Sequence, residues 1–170
     1  PETIKSSGGP ITQDNTGVEY YATIFAVAES PLEKDVIYAG SDDGLVHITR
    51  DGGQNWTNIT PAGSPKWNMM NCIDIHPTRP GWAYLAATSY KFGDYSPYLY
   101  KTKDYGKTWT LITKGIDPLH FTRSIRADPN REGLLYAGTE WGLYISFDDG
   151  ANWQPWQSNL PITSIRDMTI

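Results

Sequence analysis

Short runs of apolar and β-branched residues, bounded by Gly, Pro, Asn and Asp, recur along most of this chain. In the clearest stretch, runs at 124–128, 134–138 and 143–146 are separated by polar turns, and a fourth run begins at 153–156. Runs of this length and composition predict β-strands, and the residues between them predict tight turns. This stretch therefore predicts a unit of four short strands.

The same plan occurs twice more, earlier in the chain. The other predicted strands fall at 23–28, 35–40, 45–48, 72–76, 82–88 and 98–101. The middle unit has a longer turn, which we expect to run from Ser89 to Pro97. Near the end of the chain, 164–170 is predicted to form the first strand of another unit, because Ser164–Arg166 repeats Ser124–Arg126.

An eight-residue pattern marks each of the three units. It consists of a hydroxyl residue, any residue, Asp, any residue, Gly, two further residues and Trp, and we call it the box. The box positions are Thr49, Asp51, Gly53 and Trp56, then Thr102, Asp104, Gly106 and Trp109, then Ser146, Asp148, Gly150 and Trp153. Successive aspartates are 53 and 44 residues apart. Repeats of about 40–50 residues are typical of four-stranded propeller blades.

The box resembles the Asp-box, or BNR repeat, of sialidases, sortilin-type receptors and some polysaccharide-degrading propellers. Longer phrases, among them Gly40–Val46 and Leu134–Glu140, resemble a segment of large sortilin-like bacterial BNR proteins that are often labelled glycosyl hydrolases. The resemblance covers nearly the whole chain. It implies an all-β fold, a β-propeller segment of four-stranded antiparallel blades, in an exported protein that is secreted or periplasmic.

The repeats also predict how the chain is divided. We expect an irregular entry segment at 1–19, blades at 20–62, 63–115 and 116–160, and the first strand of a further blade at 161–170. Since closed propellers typically have four to eight blades, we expect further blades from missing sequence or from another chain. A start at Pro1 without a signal-like segment, and an end at Ile170, fit a piece of a longer protein.

The box is predicted to form the hairpin between the third and fourth strands. Its Asp can accept hydrogen bonds from turn N–H groups, its Gly suits a positive φ, and its Trp can bury a large apolar face. The alternative is that the aspartates are catalytic or bind a metal. In the families that share this repeat the box lies away from the active site, so we predict a structural role.

Ligands of propellers usually bind where loops converge near the central channel, and here that face is predicted to be opposite the boxes. The candidate ligand-binding residues on it are Asp42, Tyr90, Asp94, Tyr95, His120, Arg123 and Trp141. Aromatic rings can stack on sugars, and carboxylates can bind sugar hydroxyls. The first hypothesis is therefore a sortilin-like module that binds a glycan or a peptide on this face.

The second hypothesis is a glycoside hydrolase that acts on a polysaccharide. Such enzymes use two carboxylates about 5–10 Å apart, and Asp43 and Glu140 are candidates here, as are Asp42 and Asp94. Ordinary turn residues are the alternative interpretation of each. A sialidase would also need an arginine cluster, and nothing in the sequence places Arg123, Arg126 and Arg166 together. Whether the protein is an enzyme stays open at this point.

Charge and composition narrow the possible partners of the 170-residue chain. The formal net charge of −5 is spread without blocks, which argues against a nucleic-acid surface. No apolar run is long enough for a membrane span. The three histidines have no short spacing, so we expect no metal site, and we expect no cofactor either. The single cysteine, Cys72, allows no intrachain disulfide and is expected to be buried.

Overall fold

The structure is a computed structural model that describes residues 8–13 and 21–170. Most of the predicted entry segment, 1–19, lies outside the described residues. Within it, one short helix, α1 (Gly9–Thr12), is described. The strands that follow make up nearly all the regular structure of the described part of the chain.

The described strands form three four-stranded antiparallel sheets, each with its strands in chain order. The first sheet contains β1 (Ile24–Glu29), β2 (Ile37–Ser41), β3 (Val46–Thr49) and β4 (Thr57–Asn58). The second contains β5 (Met69–Ile75), β6 (Ala83–Ser89), β7 (Asp94–Thr102) and β8 (Thr110–Leu111). The third contains β9 (Thr122–Ala127), β10 (Leu135–Thr139), β11 (Gly142–Ser146) and β12 (Gln154–Pro155). The predicted fold class, a propeller segment of four-stranded blades, is confirmed.

The three blades stack through their innermost strands. Strand β5 packs against β1 and β2 of the first blade, and β9 packs against β5 and β6 of the second. One apolar cluster, which includes Tyr38 and Leu85, lies between the first two blades. A second cluster, which includes Tyr84 and Ile125, lies between the last two. Each blade therefore buries its apolar face against its neighbour rather than against a separate layer.

The long turn predicted from Ser89 to Pro97 is wrong in its extent. Strand β6 continues to Ser89, a single 3₁₀ turn spans Tyr90–Phe92, and β7 already begins at Asp94. Gly93 adopts φ +76°, which closes the turn so that Asp94 pairs with Ser89. The β-prone residues after Gly93 therefore extend the strand.

All three boxes form the predicted hairpin with one set of hydrogen bonds. In the second box, Thr102 Oγ1 donates to Asp104 Oδ1 at 2.9 Å and accepts from Gly106 N at 2.9 Å. Asp104 also accepts hydrogen bonds from the N and Oγ1 atoms of Thr108, at 2.8 and 2.7 Å. The boxes of the first and third blades repeat this arrangement. The aspartate binds its own turn in every box.

These hydrogen bonds favour the charged form of the box aspartates. The side chain and backbone of Asn55, followed by Thr49, lower the pKa of Asp51 to about 2. The pKa of Asp148 is lowered in the same way, led by Asn152. A group held as an anion by its own hairpin is suited to a structural role.

Residues 161–170 contain no strand in the structure. They nevertheless follow the third blade as β9 follows the second. Ser124 Oγ donates to the carbonyl of Ile165 at 3.0 Å, just as Cys72 Sγ donates to the carbonyl of Ile125 at 3.5 Å. The assignment of this segment to a further blade stays a prediction.

Cys72 is buried between the second and third blades, as expected. Burial is the main cause that raises the pKa of its thiol. Elsewhere in the described part, none of the helices has the length and apolar character that a membrane span requires.

Candidate functional site

One face of the blade stack gathers the starts of the innermost strands and the turns between second and third strands. The antiparallel order places the start of β5, the start of β9 and the β6–β7 turn at this end. The box hairpins follow the other end of the third strands. Two neighbouring cavities open on this face, opposite the boxes.

The first cavity is basic. It has a volume of about 250 Å³ and is lined by Lys91, Arg123 and Arg166 together with Tyr90, Asn71, Phe25 and Met69. None of these lining residues is acidic. Cations that converge on a small cavity attract an anion, and an Asn amide adds a hydrogen-bond donor. We call this cavity the basic pocket.

Arg123 is the most firmly held cation of the basic pocket. Its side chain is only 12% exposed, and its guanidinium lies 4.7 Å from the ring centroids of both Tyr90 and Phe121. Its Nε donates to Glu140 Oε2 at 2.8 Å. These contacts fix the guanidinium before a ligand arrives.

Glu140 is correspondingly held as a carboxylate. Burial opposes its ionisation, but hydrogen bonds from Arg123 and from Ser164 Oγ, the latter at 2.9 Å, outweigh burial and lower the pKa of Glu140. A carboxylate with a lowered pKa is a poor proton donor near neutral pH. In this geometry Glu140 positions Arg123.

The second cavity is aromatic. Its volume is about 440 Å³, and its lining comprises Tyr95, Asp117, Leu119, His120 and Trp141. The rings of His120 and Trp141 stack with their centroids 5.3 Å apart and their planes at 14°. Trp141 is 40% exposed and Tyr95 is 46% exposed, so both can contact a ligand. We call this cavity the aromatic pocket.

Phe121 separates the two pockets. This buried ring stacks on Tyr90 of the basic pocket, at 5.2 Å and 11°, and meets Trp141 of the aromatic pocket edge-on at 5.3 Å. The pockets are therefore neighbours across one aromatic side chain.

The predicted site residues fall into two groups. Tyr90 and Arg123 line the basic pocket, whereas Tyr95, His120 and Trp141 line the aromatic pocket. The structure therefore brings these five together on one face. The other predicted residues, the carboxylates of Asp42, Asp43 and Asp94, instead accept hydrogen bonds from groups of the protein itself.

Asp42 accepts a hydrogen bond from Thr23 N at 3.0 Å, and burial is the first cause that raises its pKa. Asp43 is buried and accepts from Ser41 Oγ. For Asp94, burial opposes ionisation, yet hydrogen bonds from Tyr98 and Ser96 lower its pKa. None of the three lines either pocket.

The basic pocket was not predicted as a unit. The structure brings Arg123 and Arg166 to one cavity and adds Lys91 from the turn that holds Tyr90. Arg126 instead pairs with Asp167 at 2.7 Å. The repeated Ser-Ile-Arg phrase contains Arg166, but its other copy contains Arg126, which does not line the pocket, so the phrase gave no signal for this cluster.

No metal site is evident among residues 8–13 and 21–170. Their His, Cys, Asp and Glu side chains form no group of three or more that could hold an ion.

The family model described as Sortilin, neurotensin receptor 3 (Sortilin-Vps10) matches residues 10–142, which is most of the chain. This chain belongs to the Sortilin-Vps10 family. Membership agrees with the sortilin-like propeller that the repeats predict.

Two curated relatives show how much of such proteins the chain represents. It is similar to a xyloglucanase of Paenibacillus sp., with 28% identity over 134 residues, 71% of this chain and 13% of the relative. It is also similar to vacuolar protein sorting/targeting protein 10 of Laccaria bicolor, with 34% identity over 106 residues, 61% of this chain and 6% of the relative. The chain thus spans a small part of both relatives.

Solved structures share the fold at lower identity. "YCF48 bound to D1 peptide" matches with a TM-score of 0.64 and 22% identity, over 84% of this chain and 44% of that one. An ancestral GH74 enzyme matches with a TM-score of 0.65 and 20% identity, over 80% of this chain and 18% of that one. These neighbours are β-propellers, and each extends beyond the part matched here.

Proposed function

We propose that this chain is a ligand-binding module of a larger propeller that holds a glycan or a peptide on the face opposite the boxes. The observation that carries the proposal is the pair of adjacent pockets, one basic and one aromatic. The basic pocket, at about 250 Å³, suits a single acidic group. The aromatic pocket, at about 440 Å³, is within the usual range of ligand sites and suits a ring.

The ligand chemistry follows from these linings. A carboxylate of an acidic sugar or of a peptide terminus can pair with Arg123 and Lys91, while a sugar or side-chain ring stacks against Trp141. The propeller neighbour titled as bound to a peptide, and the relatives named xyloglucanases, support both ligand classes. By family resemblance we also propose a secreted or periplasmic location, which cell fractionation can test.

Binding can be measured by calorimetry with matched probes. The glycan pair is an oligogalacturonate and a neutral oligosaccharide of the same length, and the peptide pair is one peptide with a free and with an amidated C-terminus. We expect Arg123→Gln to weaken the acidic probe at least about tenfold, since a charge-assisted hydrogen bond contributes about 1.5–3 kcal/mol. Trp141→Ala should weaken the binding of both probes in whichever pair, glycan or peptide, the protein binds more tightly.

A control variant separates the pocket from general charge effects. Lys107→Gln removes one positive charge from the exposed second box on the opposite face and should leave binding unchanged. If Lys107→Gln and Arg123→Gln weaken binding of the acidic probe equally, the effect of Arg123→Gln comes from the net charge of the protein and not from the basic pocket. No binding of any probe, by a protein shown to be folded, would refute the proposal.

Hydrolysis of a polysaccharide is the second candidate, and the two relatives named as xyloglucanases favour it. With its pKa lowered by Arg123, Glu140 could serve as a base or nucleophile but not as the acid. Sugar release from xyloglucan, measured for Glu140→Gln and Asp43→Asn, tests this. Activity that is lost in either variant supports an enzyme, whereas unchanged activity in both excludes these carboxylates.

A further inference from the structure

The box tryptophan contacts the preceding blade as well as its own hairpin. Trp109 Nε1 donates to the carbonyl of Ile59 at 2.6 Å, and Trp153 Nε1 donates to the carbonyl of Ile112 at 2.6 Å. Each acceptor is the third residue after the box tryptophan of the preceding blade. Both interfaces between blades therefore use the same indole hydrogen bond.

The box glycine takes part in the same contact. A Cβ on Gly106 would lie 2.5 Å from Cδ1 of Ile59, and a Cβ on Gly150 would lie 2.7 Å from Cδ1 of Ile112. The isoleucine that accepts the indole hydrogen bond through its carbonyl thus packs its side chain on the bare glycine. We call the indole N–H and the bare glycine face of one box the box socket.

The box socket of the first blade is exposed. Trp56 is 45% exposed, whereas Trp153 is 5% exposed. In the described part of the chain, Trp56 itself supplies every atom within 4 Å of a Cβ built on Gly53. The apolar side chain of Ile24, which lines one cavity together with Trp56, is also exposed, at 63%.

The third blade, at the other end of the stack, has Trp156 at the position of Ile59 and Ile112. Trp156 N donates to Leu143 O at 2.8 Å, matching the 2.8 Å bonds made by the N atoms of Ile59 and Ile112. Trp156 is the third residue after Trp153, yet its side chain is 46% exposed. The first blade therefore has an exposed box socket. The third blade has Trp156 at the position from which Ile59 and Ile112 contact the box socket of the next blade.

We propose that the open socket binds a further blade of the same box type. That blade supplies, three residues after its own box tryptophan, a backbone carbonyl for Trp56 Nε1 and an aliphatic side chain that packs on Gly53. This rests on the propeller-segment architecture, not on the proposed ligand. Repetition of the contact at both described interfaces, together with the apolar surface around Trp56, identifies this occupant. A second copy of the chain fits less well, since it offers the larger Trp156.

The test compares one substitution in two settings. The first is the 170-residue chain. The second is a fusion in which another copy of residues 69–121 directly precedes Ile24, so that its Ile112 faces Trp56 across the same ten-residue connection, 112–121, that joins the second and third blades. Trp→Phe removes the indole N–H and keeps an aromatic ring. The reference in both settings is Trp109→Phe.

We expect Trp109→Phe to lower the melting temperature by about 2–12 °C in both settings, because it leaves a buried carbonyl without its donor. Trp56→Phe should change it by less than about 1 °C in the 170-residue chain and should match Trp109→Phe in the fusion. If Trp56→Phe leaves the melting temperature of the fusion unchanged, the proposal is overturned. A fusion that does not melt in one transition also overturns it. If the 170-residue chain forms a dimer and Trp56→Phe dissociates it, the proposal is also overturned, because the socket then binds a second copy of the chain.

Discussion

The box glycines offer a test that separates backbone conformation from packing. Gly53 and Gly106 occupy the same position in two boxes, with φ of +95° and +79°. A residue with a Cβ in this left-handed region costs about 1–2 kcal/mol. Gly53→Ala is therefore expected to lower the free energy of unfolding by about that amount.

Gly106→Ala adds a second cost. Its Cβ would lie 2.5 Å from Cδ1 and 2.8 Å from Cβ of Ile59, a buried residue of the preceding blade. Overpacking a buried contact costs about 1–3 kcal/mol, so the total for Gly106→Ala is about 2–5 kcal/mol. The difference between the two variants measures the contact between blades.

Urea unfolding followed by tryptophan fluorescence measures both free energies, and thermal melts provide a check at about 2–4 °C for each kcal/mol. The double variant Ile59→Ala/Gly106→Ala should lose less stability than the sum of the single variants, because truncating Ile59 frees space for the new methyl group. Equal costs for Gly53→Ala and Gly106→Ala would refute the packing argument and leave only the conformational one.

Three further predictions concern charged and titrating groups. Asp104→Ala should lower the free energy of unfolding by about 1–3 kcal/mol without changing ligand binding, since Asp104 accepts three hydrogen bonds from its own hairpin; an unchanged urea midpoint would contradict this. In the folded protein the pKa of Asp51 is lowered to about 2, so its contribution to stability is full above pH 4 and is lost as the pH falls toward 2. The melting temperatures of wild type and Asp51→Asn, measured over this range, should therefore converge at the acid end. Burial lowers the pKa of His76, so the unfolded chain takes up a proton more readily and stability should fall as the pH drops below about 6.5; His76→Gln should flatten this dependence, and parallel curves would speak against it.

The candidate face shows how far strand order reaches. It predicts that Tyr95, His120 and Trp141 share one face, and all three line the aromatic pocket, with Tyr95 in strand β7. That they bind a ligand stays a prediction. The basic pocket was not predicted, because Lys91 and Arg166 are 75 residues apart in the chain and only the stacking of blades brings them together. The extent of the β6–β7 turn was missed because pairing with β6 draws Asp94 into a strand.

The sequence by itself determined the repeating four-stranded unit, since each box binds its own hairpin over eight residues and recurs once in each unit. Local hydrogen bonds and turn residues suffice for such a unit, so it can be identified without knowing what surrounds it. The tertiary structure alone decided what each blade contacts. The hydrogen bond from Trp109 to Ile59 joins residues 50 apart, and it depends on how one sheet is rotated and packed against the next.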